Sequence, residues 1–161
     1  MNKFLVYIFV VILVGCTNEP APTFESIKSN YNNHEETFSK LAEYACRLGE
    51  EKELIGYLPN DDRYTKNTTL DSYLSIIGGK NVLYKKNKNG TCSLSIYIWG
   101  IGFAGSGQSY RYKYQIENPS VYDVKKHTKE AIIKSKSKGQ SDRKLEYKGV
   151  FNGWYFSHKY S

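Results

Sequence analysis

The chain has 161 residues, a formal net charge of +7 at pH 7 and three cysteines. This length is typical of one domain, and it allows a core to be buried without a structural metal or stacked repeats. No internal repeat is present, and the positive charge favours anionic partners.

The chain begins with a short cationic and apolar segment. Lys3 is followed by an apolar run from Phe4 to Val14, and a small residue, Gly15, precedes Cys16. A cationic start, a short apolar run and a small residue before the cleavage site are typical of a secretory signal peptide. The run is too short to span a bilayer, which takes about 20 apolar residues.

The end of this segment, Leu13-Val14-Gly15-Cys16, resembles the lipobox of bacterial lipoproteins. The resemblance covers residues 1–16 and implies a signal peptide over residues 1–15, a diacylglycerol on the Cys16 sulfur and a further acyl chain on its amine. Several chains give a lasting membrane anchor, because each buried methylene adds about 0.8 kcal/mol. In lipoproteins of diderm bacteria, an aspartate directly after the lipidated cysteine tends to retain the protein at the inner membrane. Thr17 occupies this position here, so the resemblance implies the outer membrane, facing the periplasm. An ordinary cleaved signal and a short uncleaved anchor are the alternatives.

The mature chain would carry a net charge of +6. Residues 16–23 are predicted to be the lipidated cysteine and a proline-containing tether, and residues 24–161 a single domain. Cys46 and Cys92 are the cysteines that remain, and an even pair in an exported chain favours a disulfide. The bridge would close a loop of about 45 residues and stabilise the fold by about 4 kcal/mol. Two buried free thiols are the alternative.

The strongest periodic pattern lies near the start of the mature chain. Apolar residues recur every three or four positions over residues 24–48, which predicts a helix with one apolar face. We interpret this face as packed on the domain's own sheet, with a partner-binding stripe as the alternative. Asn32 and Asn33 predict a break, Asn33 with Glu36 resembles a capping box, and Gly49 predicts the end of the helix.

A second helix is predicted after a polar segment. Residues 50–68 are rich in turn formers and are expected to form an exposed connection. Residues 69–77 then fit helical spacing, with Thr69 as the cap and the glycine pair Gly78-Gly79 at the end. A strand is the alternative for this segment.

From residue 81 the apolar period changes to two, which predicts strands. The predicted strands are residues 81–86, 91–101, 109–116, 145–151 and 154–160. Asn89-Gly90 and Asn152-Gly153 predict hairpin turns. The sequence therefore predicts an α+β fold in which an N-terminal helix or helices pack on an antiparallel meander sheet of about five strands.

Two stripes of side chains are expected on the central strands. The strand 91–101 places an aliphatic stripe on one face and a polar and aromatic stripe on the other: Leu94, Ile96 and Ile98 against Ser93, Ser95, Tyr97 and Trp99. The next strand alternates Tyr110, Tyr112 and Tyr114 with polar residues. These tyrosines are interpreted either as a recognition platform or as the layer beneath the helix. If the aliphatic stripe faces the helix, a second aromatic face remains for solvent or a partner.

The tyrosine-alternating strand and the later Gly153-Trp154-Tyr155 hairpin resemble small uncharacterised lipoproteins of proteobacteria. This resemblance covers about the last third of the chain. It implies no known activity.

Motifs for catalysis, metals and cofactors are not found. Gly100 to Gly105 match G-x-G-x-x-G, but a strand is predicted to follow, so we reject a nucleotide site and favour a hairpin loop. The histidines, His34, His127 and His158, belong to no metal or hydrolase motif, and the cysteine spacing fits no zinc site. The sequence therefore predicts no metal and no cofactor. An envelope hydrolase using His127 or His158 stays an alternative, because such sites assemble in space.

Positive charge is concentrated in one segment. Residues 125–148 hold nine basic and three acidic residues, so their net charge equals that of the mature chain. The candidate anion-binding residues are Lys134, Lys136, Lys138, Arg143 and Lys144. We interpret the segment as a solvated loop, with anion binding by these residues as the alternative. Nucleic acid is not expected as a partner, because residues 134–144 lack interleaved aromatic residues and the protein is expected outside the cytoplasm.

These patterns favour a lipid-anchored lipoprotein of the cell envelope with a small, non-enzymatic binding or accessory domain. Its partners would be the membrane, through the lipid, and an envelope protein or anionic envelope component. One alternative is an immunity lipoprotein that neutralises a toxin in the periplasm, which predicts a toxin gene beside this one. The other is the envelope hydrolase, which predicts a histidine within about 3.2 Å of a serine or carboxylate.

Overall fold

A computed structural model describes residues 19–53, 55–103, 106–119 and 145–160. Within these ranges, helices pack against one face of an antiparallel sheet, so the predicted α+β class is confirmed. The helices are α1 (Phe24–Asn33), α2 (Glu35–Lys52) and α3 (Thr68–Ile77). The strands are β1 (Gly56–Tyr57), β2 (Asn81–Lys86), β3 (Cys92–Phe103), β4 (Ser106–Tyr114), β5 (Leu145–Phe151) and β6 (Trp154–Tyr160).

The predicted break in the first helical segment is present, one residue later than expected. His34, with φ −131° and ψ 25°, separates α1 from α2 and is the N-cap of α2. Its side chain makes no capping hydrogen bond, so the predicted capping box of Asn33 and Glu36 is wrong. Glu36 instead pairs with Lys40, one helical turn further along the surface.

Gly49 does not end the helix as predicted. Helix α2 continues to Lys52 and is followed by Glu53 in the left-handed region, with φ 49°. Gly49 is a packing residue, because a Cβ at this position would overlap the ring of Tyr84 on β2. The missing side chain therefore allows the helix to lie close to the sheet.

Helix α3 confirms the predicted second helix, with a different cap. The Asn67 side chain accepts a hydrogen bond of 3.0 Å from the Leu70 amide, so Asn67 is the N-cap rather than Thr69. Gly78, at φ 70°, ends the helix as predicted. The predicted exposed connection before α3 is partly structured, since it contains β1 and the buried Tyr57, whose hydroxyl donates to Asp71 at 2.6 Å.

The strand order is β1-β2-β3-β4-β6-β5, and every neighbouring pair is antiparallel. The first four strands form the predicted meander. The last hairpin is reversed, because β6 pairs with β4 and β5 lies at the edge, so the meander prediction is wrong there. The tight turn at Asn152-Gly153, with φ 45° and 83°, requires β5 and β6 to pair, whereas the long connection after β4 does not require β5 to lie beside β4.

A β-bulge in β3 changes the predicted faces. The register with β4 shifts between Tyr97 and Trp99, so Ile98 is the additional residue and Trp99 opposes Tyr110. Trp99 therefore lies on the same face as Leu94 and is buried, although strict alternation places it on the opposite face.

The tyrosine stripe of β4 lies beneath the helices, as the layer interpretation predicts. Tyr112 is fully buried and accepts a hydrogen bond of 2.8 Å from the Asn30 side chain, which also donates to the Ile77 carbonyl. Leu94 and Ile96 of the aliphatic stripe on β3 lie on this same face, where they oppose Tyr114 and Tyr112. The tyrosines of β4 therefore do not form the second, exposed aromatic face that was expected. The largest fully buried side chains are Trp154, Tyr31, Tyr112, Phe38, Leu41, Leu70, Leu74, Ile77, Leu94 and Ile96.

The predicted disulfide between Cys46 and Cys92 is confirmed. It joins the middle of α2 to the first residue of β3, with the two Cα atoms 5.7 Å apart. In the described part of the chain, no helix combines the length and the apolar character needed to cross a bilayer.

Candidate functional site: the basic face of the sheet

Several residues singled out from the sequence lie outside the described residues. These are the lipid attachment residue Cys16, the histidine His127 and the candidate anion-binding residues Lys134, Lys136, Lys138, Arg143 and Lys144. The described residues place a different set of cations together.

The face of the sheet that is opposite the helices carries four cations from three strands. Side chains alternate across a strand, so the residues that oppose Ser93, Ser95 and Ser109 lie on the same face as those serines. These residues are Lys85 on β2, Lys113 on β4 and Lys159 on β6, and Arg111 opposes Tyr97 on the same face. We call the surface formed by Lys85, Arg111, Lys113 and Lys159 the basic face.

Small residues between the cations make this surface concave. Ser93 and Ser95 lie beneath the longer side chains, and together with them they line a concavity of about 690 Å³. The described lining contains four cations and no carboxylate. Among the described residues, the ion pairs all lie elsewhere on the surface, so these cations have no acidic partner within that part of the chain.

Arg111 is fixed at the centre of this surface. Its guanidinium lies over the Tyr97 ring, 5.2 Å from the ring centroid, and Nη1 donates to Ser95 Oγ at 3.4 Å. Burial lowers the pKa of Arg111, because the charged form loses hydration that these neutral neighbours only partly replace. A guanidinium held in this way is oriented for a carboxylate or phosphate group.

Lys113 is the residue of the basic face whose pKa changes most in the folded protein. Its pKa falls from 10.5 to about 8, first because of burial and then because of repulsion from Arg111, Lys159 and Lys85. Its neighbour across β4–β6 is Tyr155, and its neighbour across β3–β4 is Ser95. An anion bound here would favour the protonated form of Lys113, so the site is electrostatically suited to negative charge.

Apolar side chains border one end of the concavity. Ile55 is 79% exposed and Leu83 is 41% exposed, and both line the same surface as the cations. A surface that combines exposed aliphatic groups with cations suits a partner that offers both apolar and acidic groups.

Only part of this site could be predicted from the sequence. Arg111 and Lys113 alternate with the predicted tyrosine stripe, so a shared face for these two residues could be predicted from the period of two. Lys85 and Lys159 are separated by 74 positions, and only the pairing of β2, β3, β4 and β6 brings them together.

His158, a candidate residue of the hydrolase alternative, lies on the helix side of β6. Its ring stacks on Tyr110 with centroids 4.1 Å apart and an interplanar angle of 8°, and Nε2 lies 3.2 Å from Gln108 Oε1. These contacts orient the imidazole within an aromatic layer. Within the described ranges, no three histidine, cysteine or acidic side chains gather in a way that could hold a metal ion.

No protein-family model, curated protein or solved structure matches this chain.

Proposed function

We propose that the chain is a lipid-anchored protein of the cell envelope whose domain binds an acidic segment of another envelope protein without catalysing a reaction. The lipobox at Leu13 to Cys16 supports the anchor and the envelope location, with the outer membrane, facing the periplasm, as the site. The basic face supports the anionic character of the partner.

The observation that carries this proposal is the grouping of four cations on a concave surface whose described lining has no carboxylate. Burial first, and then repulsion from Arg111, Lys159 and Lys85, lowers the pKa of Lys113, so the grouped cations add to the cost of holding this charge in the folded protein. A bound acidic partner offsets the repulsion and is attracted from solution by the combined field.

The position of the N-terminal segment favours a protein partner over lipid headgroups. The Trp99 indole, which faces the helices, donates to the Glu19 carbonyl at 2.8 Å, so the chain arrives on the side of the sheet that carries the helices. The basic face is on the opposite side. Exposed Ile55 and Leu83 further suit a folded or extended protein segment, since burial of apolar surface is the main favourable contribution to most protein–protein association.

The immunity alternative is one form of this function, in which the acidic partner would be a toxin that reaches the periplasm. It keeps the prediction of a toxin gene next to this gene. The hydrolase alternative keeps its geometric test, which is a histidine within about 3.2 Å of a serine or carboxylate.

The anchor is tested with Cys16→Ser in the full-length chain. The variant is expected to leave the membrane fraction and to keep the thermal stability of the natural domain, because the sulfur carries the lipid rather than the fold. Intact mass of the natural protein should show loss of residues 1–15 and added acyl chains. Membrane retention of the Cys16→Ser protein would contradict the anchor.

The basic face is tested with the triple variant Lys85→Glu, Lys113→Glu and Lys159→Glu, using poly-glutamate as the probe. Affinity is expected to fall at least about tenfold, since each tenfold corresponds to about 1.4 kcal/mol. The matched control, Lys28→Glu, Lys52→Glu and Lys66→Glu, changes the net charge equally on exposed positions elsewhere. Equal losses in both variants would mean that net charge, and not this face, determines binding.

A parallel measurement with phosphatidylglycerol vesicles separates the two anionic partners. If the triple variant loses vesicle binding and keeps poly-glutamate binding, the basic face recognises lipid headgroups and the protein partner is wrong.

A further inference from the structure

Residues 19–23, the first that the structure describes, are bound to the rest of the domain. The Glu19 carbonyl accepts a hydrogen bond of 2.8 Å from the Trp99 indole, and its carboxylate pairs with Lys80 at 3.3 Å. Four residues later, Thr23 caps α1 by accepting from the Ser26 amide at 3.1 Å. The segment from residue 19 to residue 23 is therefore held at both ends.

This attachment shortens the connection to the lipid. If Cys16 carries the lipid, as the proposed function requires, only three residue steps separate the anchor from Glu19, which is a reach of at most about 11 Å. A tether that was free up to Phe24 would reach about 27 Å. The part of the domain that contacts Glu19 must therefore stay near the bilayer surface.

Two exposed isoleucines flank this attachment point. Ile76, 47% exposed, lines the same groove as Glu19, Lys80 and Trp99. Ile101, 48% exposed, lies two residues beyond Trp99 on the same face of β3, where it opposes Gln108. We call the surface of Glu19, Ile76, Lys80, Trp99 and Ile101 the anchor end.

We infer that the anchor end lies on the lipid bilayer, with Ile76 and Ile101 in contact with lipid. The short reach from Cys16 supplies proximity, and the two isoleucines supply apolar area that gains from leaving water. The charges of Glu19 and Lys80 neutralise each other at 3.3 Å, so this contact does not depend on anionic lipid. The basic face, on the other side of the sheet, remains open to its partner.

The test uses full-length, lipidated protein reconstituted in phosphatidylcholine vesicles. Ile101 is replaced by the photo-crosslinker benzoylphenylalanine, and Lys88, an exposed residue in the β2–β3 turn, receives the same group as the matched control. Position 101 lies near one end of β3 and position 88 lies in the turn before its other end. The nine residue steps from Cys92 to Ile101 alone span about 30 Å at about 3.3 Å per residue. After illumination, lipid adducts are measured by intact mass.

We expect the adduct yield at position 101 to exceed that at position 88 by about fivefold or more, because only the former is within reach of the bilayer. A Gly-Ser segment of about ten residues inserted between Thr17 and Asn18 should remove most of this difference. Both labelled positions are exposed, so the fold is expected to tolerate the replacements.

Each outcome is decisive. Equal yields at positions 101 and 88 in vesicle-bound protein would overturn the inferred orientation while leaving the lipid anchor intact. An undiminished yield after the insertion would show that the short connection does not hold this end to the membrane. Protein that carries no acyl mass and fails to join vesicles would overturn the proposed function instead.

Discussion

Lys113 shows how the environment of one residue links anion binding to pH. Its pKa of about 8 lies below the ordinary 10.5, so between these values the unfolded chain binds more protons than the folded chain. The free energy of unfolding should therefore rise as the pH increases from about 8 to about 10.5, because the folded protein is then relieved of a charge that is buried and also repelled by its neighbours. Below about pH 8 both states are protonated and this contribution does not change.

The affinity for an anion should change with pH in the opposite direction to the free energy of unfolding. Poly-glutamate affinity is expected to fall as the pH rises through about 8, because the deprotonated amine of Lys113 attracts an anion less. Lys113→Met should remove this step. Lys85→Met removes one of the repelling charges and should move the step to higher pH. A binding profile with the same midpoint in the natural protein and in the Lys113→Met variant would contradict this account.

Gly49 illustrates the same dependence on context within an element. An exposed glycine in a helix is about 1 kcal/mol less favourable than alanine, which predicts that Gly49→Ala stabilises α2. The Tyr84 ring reverses the sign, because a Cβ at position 49 would overlap it.

We expect Gly49→Ala to lower the free energy of unfolding by about 1–3 kcal/mol in the natural chain. In a Tyr84→Ala background the same substitution should raise it by about 0.5–1 kcal/mol, because the clash is gone and helix propensity remains. Urea unfolding of the four proteins measures both values and their coupling. Additive effects of the two substitutions would refute direct contact as the cause.

The disulfide holds the same pair of elements, since it joins α2 to the start of β3. The double variant Cys46→Ala and Cys92→Ala should lose about 2–4 kcal/mol of unfolding free energy, because the unfolded chain regains the freedom of a long loop. Reductant should destabilise the natural protein by a similar amount and leave the double variant unchanged. Peptide mapping without reductant should yield a Cys46–Cys92 linked peptide; free thiols at both positions would contradict the bridge.

At the scale of the whole molecule, the distribution of charge predicts two opposite salt effects. Raising the salt from about 0.1 to about 1 M shortens the screening length from about 10 to about 3 Å. Poly-glutamate binding should then weaken by about tenfold or more, whereas thermal stability should rise slightly as the cations of the basic face repel each other less. The Lys85→Glu, Lys113→Glu and Lys159→Glu variant should show neither effect. Binding and stability that change together with salt would contradict this electrostatic account.

Local patterns in the sequence determined most of the elements and one long-range link. The apolar spacing over residues 24–48 predicted a helical segment with a break, and Asn89-Gly90 and Asn152-Gly153 predicted the turns. The even pair of cysteines predicted the bridge. The helices and turns follow from the spacing of neighbouring residues, and the bridge follows from the even number of cysteines. Neither prediction needs knowledge of distant contacts.

Only the tertiary structure decided the order of the last hairpin, the position of Trp99 and the location of the basic face. The bulge at Ile98 reverses the alternation that places Trp99 with the polar residues, and nothing in the local sequence marks it. Lys85, Arg111, Lys113 and Lys159 become neighbours because hydrogen bonding between strands sets their register. Strand pairing joins residues that are distant in the chain and depends on the packing of the whole core. The local sequence therefore determined the helices, strands and turns, whereas the pairing of the strands determined the basic face.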